Sequence, residues 1–219
     1  MLFHLYTLTA DAEQPQNLKL AWQNQLMRNF FKDLSPNGFM NLSVYHTQEY
    51  FCHWKGITCE NDFVNEVAYS RFRHGNFHIH TLPPQLGSLF IESCKQKYRL
   101  NVRALPRNLY RLSLYNNKIY GRLDLTNLPM SLVWLNVSHN MLSGPISLES
   151  LPSTMERLHV HANRIQQTTV FYDNLPEKMT TLVLTSGGGN RIGEVRAVHP
   201  NKAVETKGVF SGMFDENVH

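Results

Sequence analysis

The sequence predicts an α/β solenoid: an elongated body of about six stacked coils with an N-terminal helical cap. Two observations carry this prediction, a repeated Leu-Pro pair and an amphipathic segment ahead of it. The pairs recur at intervals of 23, 23, 23 and 24 residues, at Leu82-Pro83, Leu105-Pro106, Leu128-Pro129, Leu151-Pro152 and Leu175-Pro176. A unit repeating every ~20–29 residues cannot bury an apolar face alone, so it has to stack on its neighbours.

The amphipathic segment runs from Pro15 to Leu34. Its apolar residues fall every four positions, the spacing of one helix face, at Leu18, Trp22, Leu26, Phe30 and Leu34. Pro15 suits a first helical turn, and Ser35-Pro36-Asn37-Gly38 is typical of a helix end. We expect this helix to cover the open end of the first coil, within a capping region spanning residues 1–63.

Five further segments share one pattern, illustrated by Leu109-Tyr-Arg-Leu112-Ser-Leu114-Tyr-Asn-Asn117. A degenerate copy begins at Val64 and brings the number of units to six. The pattern resembles the leucine-rich repeat, Leu-x-x-Leu-x-Leu-x-x-Asn/Cys. The resemblance implies a parallel sheet on the concave side and a mostly irregular convex side, over residues 64–198.

The repeat pattern also has a direct physical interpretation. Leu112 and Leu114 alternate with polar neighbours, as in a strand with one face buried. The Asn at the ninth position is able to bond backbone groups inside the turn. In the last unit Ser186–Gly189 lengthens the coil, and the repeat signal ends near residue 198. Residues 199–219 are therefore predicted to be a C-terminal cap or tail.

Cys52-His-Trp54-Lys-Gly56-Ile-Thr-Cys59 resembles the N-terminal cap of plant receptor-like leucine-rich repeat ectodomains. The resemblance implies a Cys52–Cys59 disulfide and a buried Trp54. Two reduced, buried cysteines are the alternative. Zinc held by Cys52, His53 and Cys59 is a weaker one, because structural zinc sites usually have two close ligand pairs. No metal and no cofactor is predicted.

Composition excludes several classes of protein. The 219 residues are 42% apolar but contain no run of about 18 apolar residues, so no transmembrane segment is predicted. Lys and Arg exceed Asp and Glu by only 21 to 17, which is too small an excess to indicate nucleic-acid binding by itself. No catalytic-nucleophile motif and no paired-carboxylate motif is present. The glycine-rich stretch Gly187–Gly193 is not a phosphate loop, because it lacks the Lys-Ser/Thr ending. We expect no enzyme and no small-molecule substrate.

The compartment is predicted from the N-terminus. The first ten residues are largely apolar, but they lack a positive region and are interrupted by His4 and Tyr6, which favours an ordinary N-terminus over a secretory signal. We therefore expect an intracellular location, in the cytoplasm or an organelle such as the mitochondrion. Secretion is the alternative.

The repeat register places one set of side chains outward on the concave sheet. Trp, Tyr and Arg are enriched at protein-binding hot spots, and an outward Trp in mid-strand has no role in the core. The predicted partner-binding residues are Phe90, Arg111, Tyr115, Trp134, Asn136, Arg157, His159 and His161.

These residues predict a non-enzymatic protein–protein interaction module, acting as a structural or adaptor subunit of a larger assembly. A ribonucleoprotein subunit is one alternative, in which basic side chains meet RNA phosphates while Trp134 or Tyr115 stacks on a base. Its basic residues would be Arg111, Lys118, Arg122, Arg157 and Arg164. A secreted or cell-surface recognition module is the other alternative.

Overall fold

The computed structural model describes residues 14–43, 51–204 and 207–219. Within them the chain forms a β-solenoid of about six coils, which confirms the predicted fold class. The strands are β1 Ile57–Glu60, β2 Phe63–Ser70, β3 Ser88–Glu92, β4 Arg111–Ser113, β5 Tyr120–Arg122, β6 Trp134–Asn136, β7 Met141–Ser143, β8 Arg157–His159, β9 Gln166–Tyr172, β10 Thr181–Val183, β11 Arg191–Ala197 and β12 Phe210–Ser211.

Eight strands form the concave sheet, in the order β1-β2-β3-β4-β6-β8-β10-β12. β1 runs antiparallel to β2, and every other neighbouring pair is parallel. The convex side carries two short parallel pairs, β5 with β7 and β9 with β11. Single turns of 3₁₀ helix at Ile79–Thr81, Val102–Ala104 and Leu125–Asn127 complete three of the coils.

Two helices precede the sheet, α1 Gln14–Phe31 and α2 Pro36–Leu42. The second half of α1 buries Phe30 as predicted, together with Met27 and Phe31. The first half does not bury its stripe, since Leu18 is 72% and Trp22 59% exposed. The predicted apolar stripe therefore covers the first coil only from about its midpoint onward.

A polar residue, Gln23, fixes the middle of α1. Its side chain is buried, and its Oε1 accepts the backbone N–H of Val64 at 2.8 Å and the Gln85 amide at 2.7 Å. Its own amide donates to the Asp62 carbonyl at 3.1 Å. These bonds satisfy a buried backbone group of the first repeat, which an apolar side chain at this position would leave unpaired.

Aromatic rings fill the cap between α1 and the first coil. Trp54 is 3% exposed, and its ring lies 4.9 Å from that of Phe31 and 4.8 Å from that of Phe51. Cys52 and Cys59, on either side of Trp54, form a disulfide. The bond joins the residues before β1 to β1 itself, next to the helix contacts.

Asparagines at successive coils form a ladder inside the solenoid. The Oδ1 of Asn117, Asn140, Asn163 and Asn190 each accepts a backbone N–H of the preceding coil at 2.9–3.0 Å. Their amides donate to buried carbonyls of their own and the preceding coil, as Asn140 does to Leu114 at 2.9 Å and Val137 at 3.2 Å. In the last unit Asn190 fills this role, three residues beyond the ninth position at Gly187.

The C-terminal residues add the last strand and a convex contact. Phe210 in β12 pairs with Leu182 of β10 and is buried. The backbone N–H of His219 donates to the Val195 carbonyl at 2.9 Å, and the Tyr172 hydroxyl donates to the His219 carbonyl at 3.1 Å. In the described ranges, no helix has the length and apolar character needed to cross a membrane.

Candidate functional site

The concave strands pair in the register that the repeats predict. The third positions align as Ser88, Arg111, Trp134 and Arg157 along β3, β4, β6 and β8, and the fifth positions as Phe90, Ser113, Asn136 and His159. Successive parallel strands lie about 4.8 Å apart, so side chains at one position form a column across the face. This geometry brings six of the eight predicted partner-binding residues onto one surface, and Tyr115 and His161 lie just beyond the ends of β4 and β8.

Trp134 is the centre of that surface. Its ring centroid lies 5.9 Å from that of Phe90, two strands away, and the Arg157 guanidinium carbon lies 5.6 Å from the Trp134 centroid. The two rings meet across β4, where Ser113 is completely buried and donates a hydrogen bond to the Glu92 carboxylate. The arrangement is an apolar plate with an exposed cation stacked on it.

Beside this plate lies a cluster of rings. His139 is 5.2 Å from Tyr115 and 5.3 Å from His161, between ring centroids, and His161 is 6.0 Å from His159. The Nε2 of His159 and the Nδ1 of His161 are buried, and neither has a hydrogen-bond partner in the described part of the chain. Both are therefore buried polar atoms left without a hydrogen bond inside the fold.

Burial controls the charge of these imidazoles. Desolvation lowers the pKa of His159, and the nearby Arg157 lowers it further. The pKa of His161 is lowered by burial and then by His139 and His159. The pair is therefore neutral at physiological pH. The described ranges contain no group of three or more His, Cys, Asp or Glu side chains placed to hold a metal ion.

The remaining predicted residues lie around this centre. Arg111 is exposed and its guanidinium carbon is 5.5 Å from the Tyr110 ring. Asn136 is half-buried, and its Oδ1 accepts both the backbone N–H and the hydroxyl of Ser138. The Oδ1 of Asn136 is thus already bonded within its own turn.

Two features of the site are absent from the sequence prediction. His139 joins the ring cluster from the eighth position of its unit, where the backbone has φ of 55°. The equivalent positions in neighbouring coils, Ser93, Asn116 and Ala162, also have positive φ. The chain thus makes the same turn at the eighth position of each of these units. Treating that position as a further outward column would have added His139 to the predicted site residues. The burial of Ser113 depends on two rings meeting across its strand, and no local pattern indicates such a contact.

The basic residues of the RNA alternative do not share a face. Arg111 and Arg157 lie on the concave sheet, whereas Arg122 is in β5 on the convex side. Arg164 bridges Ser143 of β7, also on the convex side. An RNA strand stacked on Trp134 would therefore meet Arg111 and Arg157 but neither Arg122 nor Arg164.

Solved structures of similar fold agree with this architecture. Pollen Receptor Kinase 3 matches with a TM-score of 0.62 at 20% identity, over 80% of this chain and 85% of that one. The chain has the leucine-rich repeat fold. No protein-family model matches the sequence, and no curated protein matches it either.

Two further comparisons are with longer proteins. The ectodomain of the Arabidopsis receptor kinase HAESA, solved with an N-terminally extended IDA peptide hormone, matches with a TM-score of 0.57 at 22% identity, over 83% of this chain. A plant ice-binding protein matches with a TM-score of 0.57 at 15% identity, over 80% of this chain. This chain covers 35% of the first protein and 64% of the second, which is less than two thirds of each.

Proposed function

We propose that the chain is a non-enzymatic module that binds a protein segment on its concave face, as a subunit of a larger assembly. The observation that carries this proposal is the plate at Trp134. A half-buried tryptophan, with Phe90 on one side and the Arg157 guanidinium on the other, combines the residue types that dominate binding energy at interfaces.

The partner that suits this face is an extended peptide. The plate offers apolar area, and the exposed guanidinium of Arg157 beside it offers hydrogen-bond donors to a main-chain carbonyl or an acidic side chain. The HAESA ectodomain, which has this fold, was solved with a peptide hormone bound. That likeness supports the proposed class of partner.

For the compartment, the disulfide between Cys52 and Cys59 supports an oxidising environment. The similarity to receptor-kinase ectodomains supports it too. We therefore propose a secreted or cell-surface protein, in place of the intracellular location expected from the N-terminus. The N-terminal residues behind that expectation, 1–13, lie outside the described ones.

The proposed division of labour follows the coils. Residues 1–63 would shield the first coil, 64–198 would supply the binding surface, and 199–219 would shield the last coil. The cap contributes β1 and the C-terminal segment contributes β12, one at each edge of the concave sheet.

The test compares two matched double variants in affinity capture from the native source. Trp134 and Arg157 are neighbours across concave strands, and Phe171 and Arg196 are neighbours across convex strands. We expect Trp134→Ala with Arg157→Ala to lose the partner by about 30-fold or more in affinity, the loss of a hot spot. Phe171→Ala with Arg196→Ala should retain it.

Three results would count against the proposal. If both double variants keep the partner while their melting temperatures match the parent chain, the concave face is not the site. A captured molecule that disappears after nuclease treatment, with steep loss in salt, would favour the RNA alternative. Free thiols at Cys52 and Cys59 in the native protein, found by mass spectrometry, would oppose the oxidising compartment.

A further inference from the structure

The convex side carries a groove of about 650 Å³ that the concave proposal does not use. Its walls come from three consecutive coils, and its charged lining consists of Arg99, Arg103, Arg122 and Asp124. All three arginines are exposed at the surface. A cluster of positive charge in a concave surface raises the local concentration of anions.

Two of these arginines are held in place by the next coil. A Cβ added to Gly121 would lie 2.9 Å from the Cγ of Arg99, and one added to Gly144 would lie 3.2 Å from the Cγ of Arg122. The missing Cβ at each glycine thus makes room for the stem of the arginine one coil earlier. Because the contact repeats at a spacing of 23 residues, it belongs to the repeat and presents two guanidiniums in series.

Most other polar side-chain atoms of the groove already have hydrogen-bond partners. Asn101 accepts the Arg103 N–H, and Ser147 exchanges hydrogen bonds with Glu149 outside the groove. Asp124, the carboxylate in the lining, accepts from Thr126 and Asn127. The hydrogen bonds to Thr126 in particular lower the pKa of Asp124.

That leaves the guanidiniums, together with the side-chain amide of Asn101, as the donors open to a ligand. The Oδ2 of Asp124 is 3.8 Å from the Nη2 of Arg103, so these two side chains form a long, solvent-exposed ion pair. Neither Arg99 nor Arg122 forms an ion pair with any residue in the described ranges. Guanidiniums bind oxyanions through two parallel N–H bonds, so the groove selects for groups such as sulfate.

We propose that this groove binds a sulfated saccharide chain, with Arg99 and Arg122 each contacting a sulfate group. A saccharide is favoured over RNA because none of the groove's lining residues is aromatic, so bases would find no ring to stack on. A polymer is favoured over a single ion because the groove, at about 650 Å³ and with walls from three coils, is much larger than one sulfate ion. This site is separate from the concave face and does not depend on the function proposed for it.

The experiment measures binding of a fluorescent sulfated oligosaccharide to the full chain at low salt. The test variant is Arg99→Gln with Arg122→Gln, which removes two charges but keeps the Cγ atoms that lie against Gly121 and Gly144. The control, Arg28→Gln with Arg73→Gln, removes two charges from exposed positions outside the groove. Melting temperatures check that both variants are folded.

We expect the groove variant to weaken binding about tenfold or more, and the control less than about threefold, since a distant charge acts only through the screened field. Arg99→Lys with Arg122→Lys should fall between them, because it keeps charge and loses the fork. The proposal is overturned if control and groove variants lose affinity equally. It is also overturned if RNA or polyglutamate of equal charge competes as well as the saccharide, or if inorganic sulfate does so at equal sulfate concentration.

Discussion

Gly189 lies directly against the backbone of Asn163 in the preceding coil: a Cβ added to Gly189 would be 2.5 Å from the Asn163 carbonyl oxygen. Gly188, with φ of 80°, has nothing within 4 Å of the same position. Both glycines have a left-handed backbone, but only Gly189 is close to another residue. Substituting each in turn therefore distinguishes the cost of backbone strain from the cost of a steric clash.

The first prediction compares alanine at the two glycines. Gly188→Ala should lower the free energy of unfolding by about 1 kcal/mol, the cost of a left-handed conformation. Gly189→Ala adds a collision with main-chain atoms, which cannot move as a side chain can, and should lower it by about 3 kcal/mol or more. Denaturant unfolding measures both. Equal effects would mean that the coils are not in contact here.

The second prediction concerns the asparagine ladder. Asn140→Ala leaves the Ile119 N–H without a partner and removes one of two donors from each of three carbonyls, those of Leu114, Val137 and Ser138, so it should cost about 2–4 kcal/mol of unfolding free energy. Asn174→Ala, at an exposed position, should change it by less than about 0.5 kcal/mol. A small effect at Asn140 would show that water replaces the ladder.

The third prediction is a loss of stability in acid. A histidine whose folded pKa lies below its unfolded value of about 6.5 binds more protons when unfolded. Because burial lowers the pKa of His159 and His161, the free energy of unfolding should fall as pH drops below about 6.5 and level off below the folded pKa values. The groups facing this pair are Arg157, His139 and Tyr115.

Thermal melting between neutral and acidic pH checks this dependence. His159→Gln with His161→Gln should flatten the slope, leaving the part due to His80, whose pKa burial also lowers. Asn174→Ala, which replaces a side chain without a titratable group at an exposed position, should leave the slope unchanged. An undiminished slope in the double variant would place the acid-sensitive groups elsewhere.

The fourth prediction concerns Cys94, which is 1% exposed. Burial raises the pKa of its thiol, so little of the reactive thiolate forms near neutral pH. An alkylating reagent should modify Cys94 at least about 100-fold faster in denaturant than in the native chain, because native labelling requires opening of the solenoid. Mass spectrometry after timed quenching reads this out. Fast native labelling would contradict the packing of this coil.

How far the sequence predicts the structure depends on whether a contact repeats. The period of two at Leu112 and Leu114, repeated every 23 residues, is enough to establish the strands, the register and the outward columns. The exposure of Trp22 is not predictable, because a helical stripe indicates an apolar face and not how far the partner surface extends. At this level of the helix it is Gln23, and not Trp22, that is buried against the first coil. Gln23 is held there by hydrogen bonds to residues about 40 and 60 positions away, which no local pattern encodes.

The site shows the same division. Trp134 and Arg157 follow from the register, whereas the ring of His139 reaches the cluster through the turn after the strand. Which outward residues bind a partner remains a prediction, since strand register places side chains without saying what they contact.

The ladder gives the solenoid a direction. Asn117, Asn140, Asn163 and Asn190 all reach back, so each turn is completed by the coil that follows it. A chain emerging from the ribosome would therefore hold its newest coil incomplete until about 23 more residues had appeared. Loss of the last coil would leave the Ile165 N–H without its hydrogen-bond acceptor. Loss of the first coil would remove none of the four ladder bonds. Unfolding of the coils should consequently proceed from the C-terminal end toward the N-terminal cap.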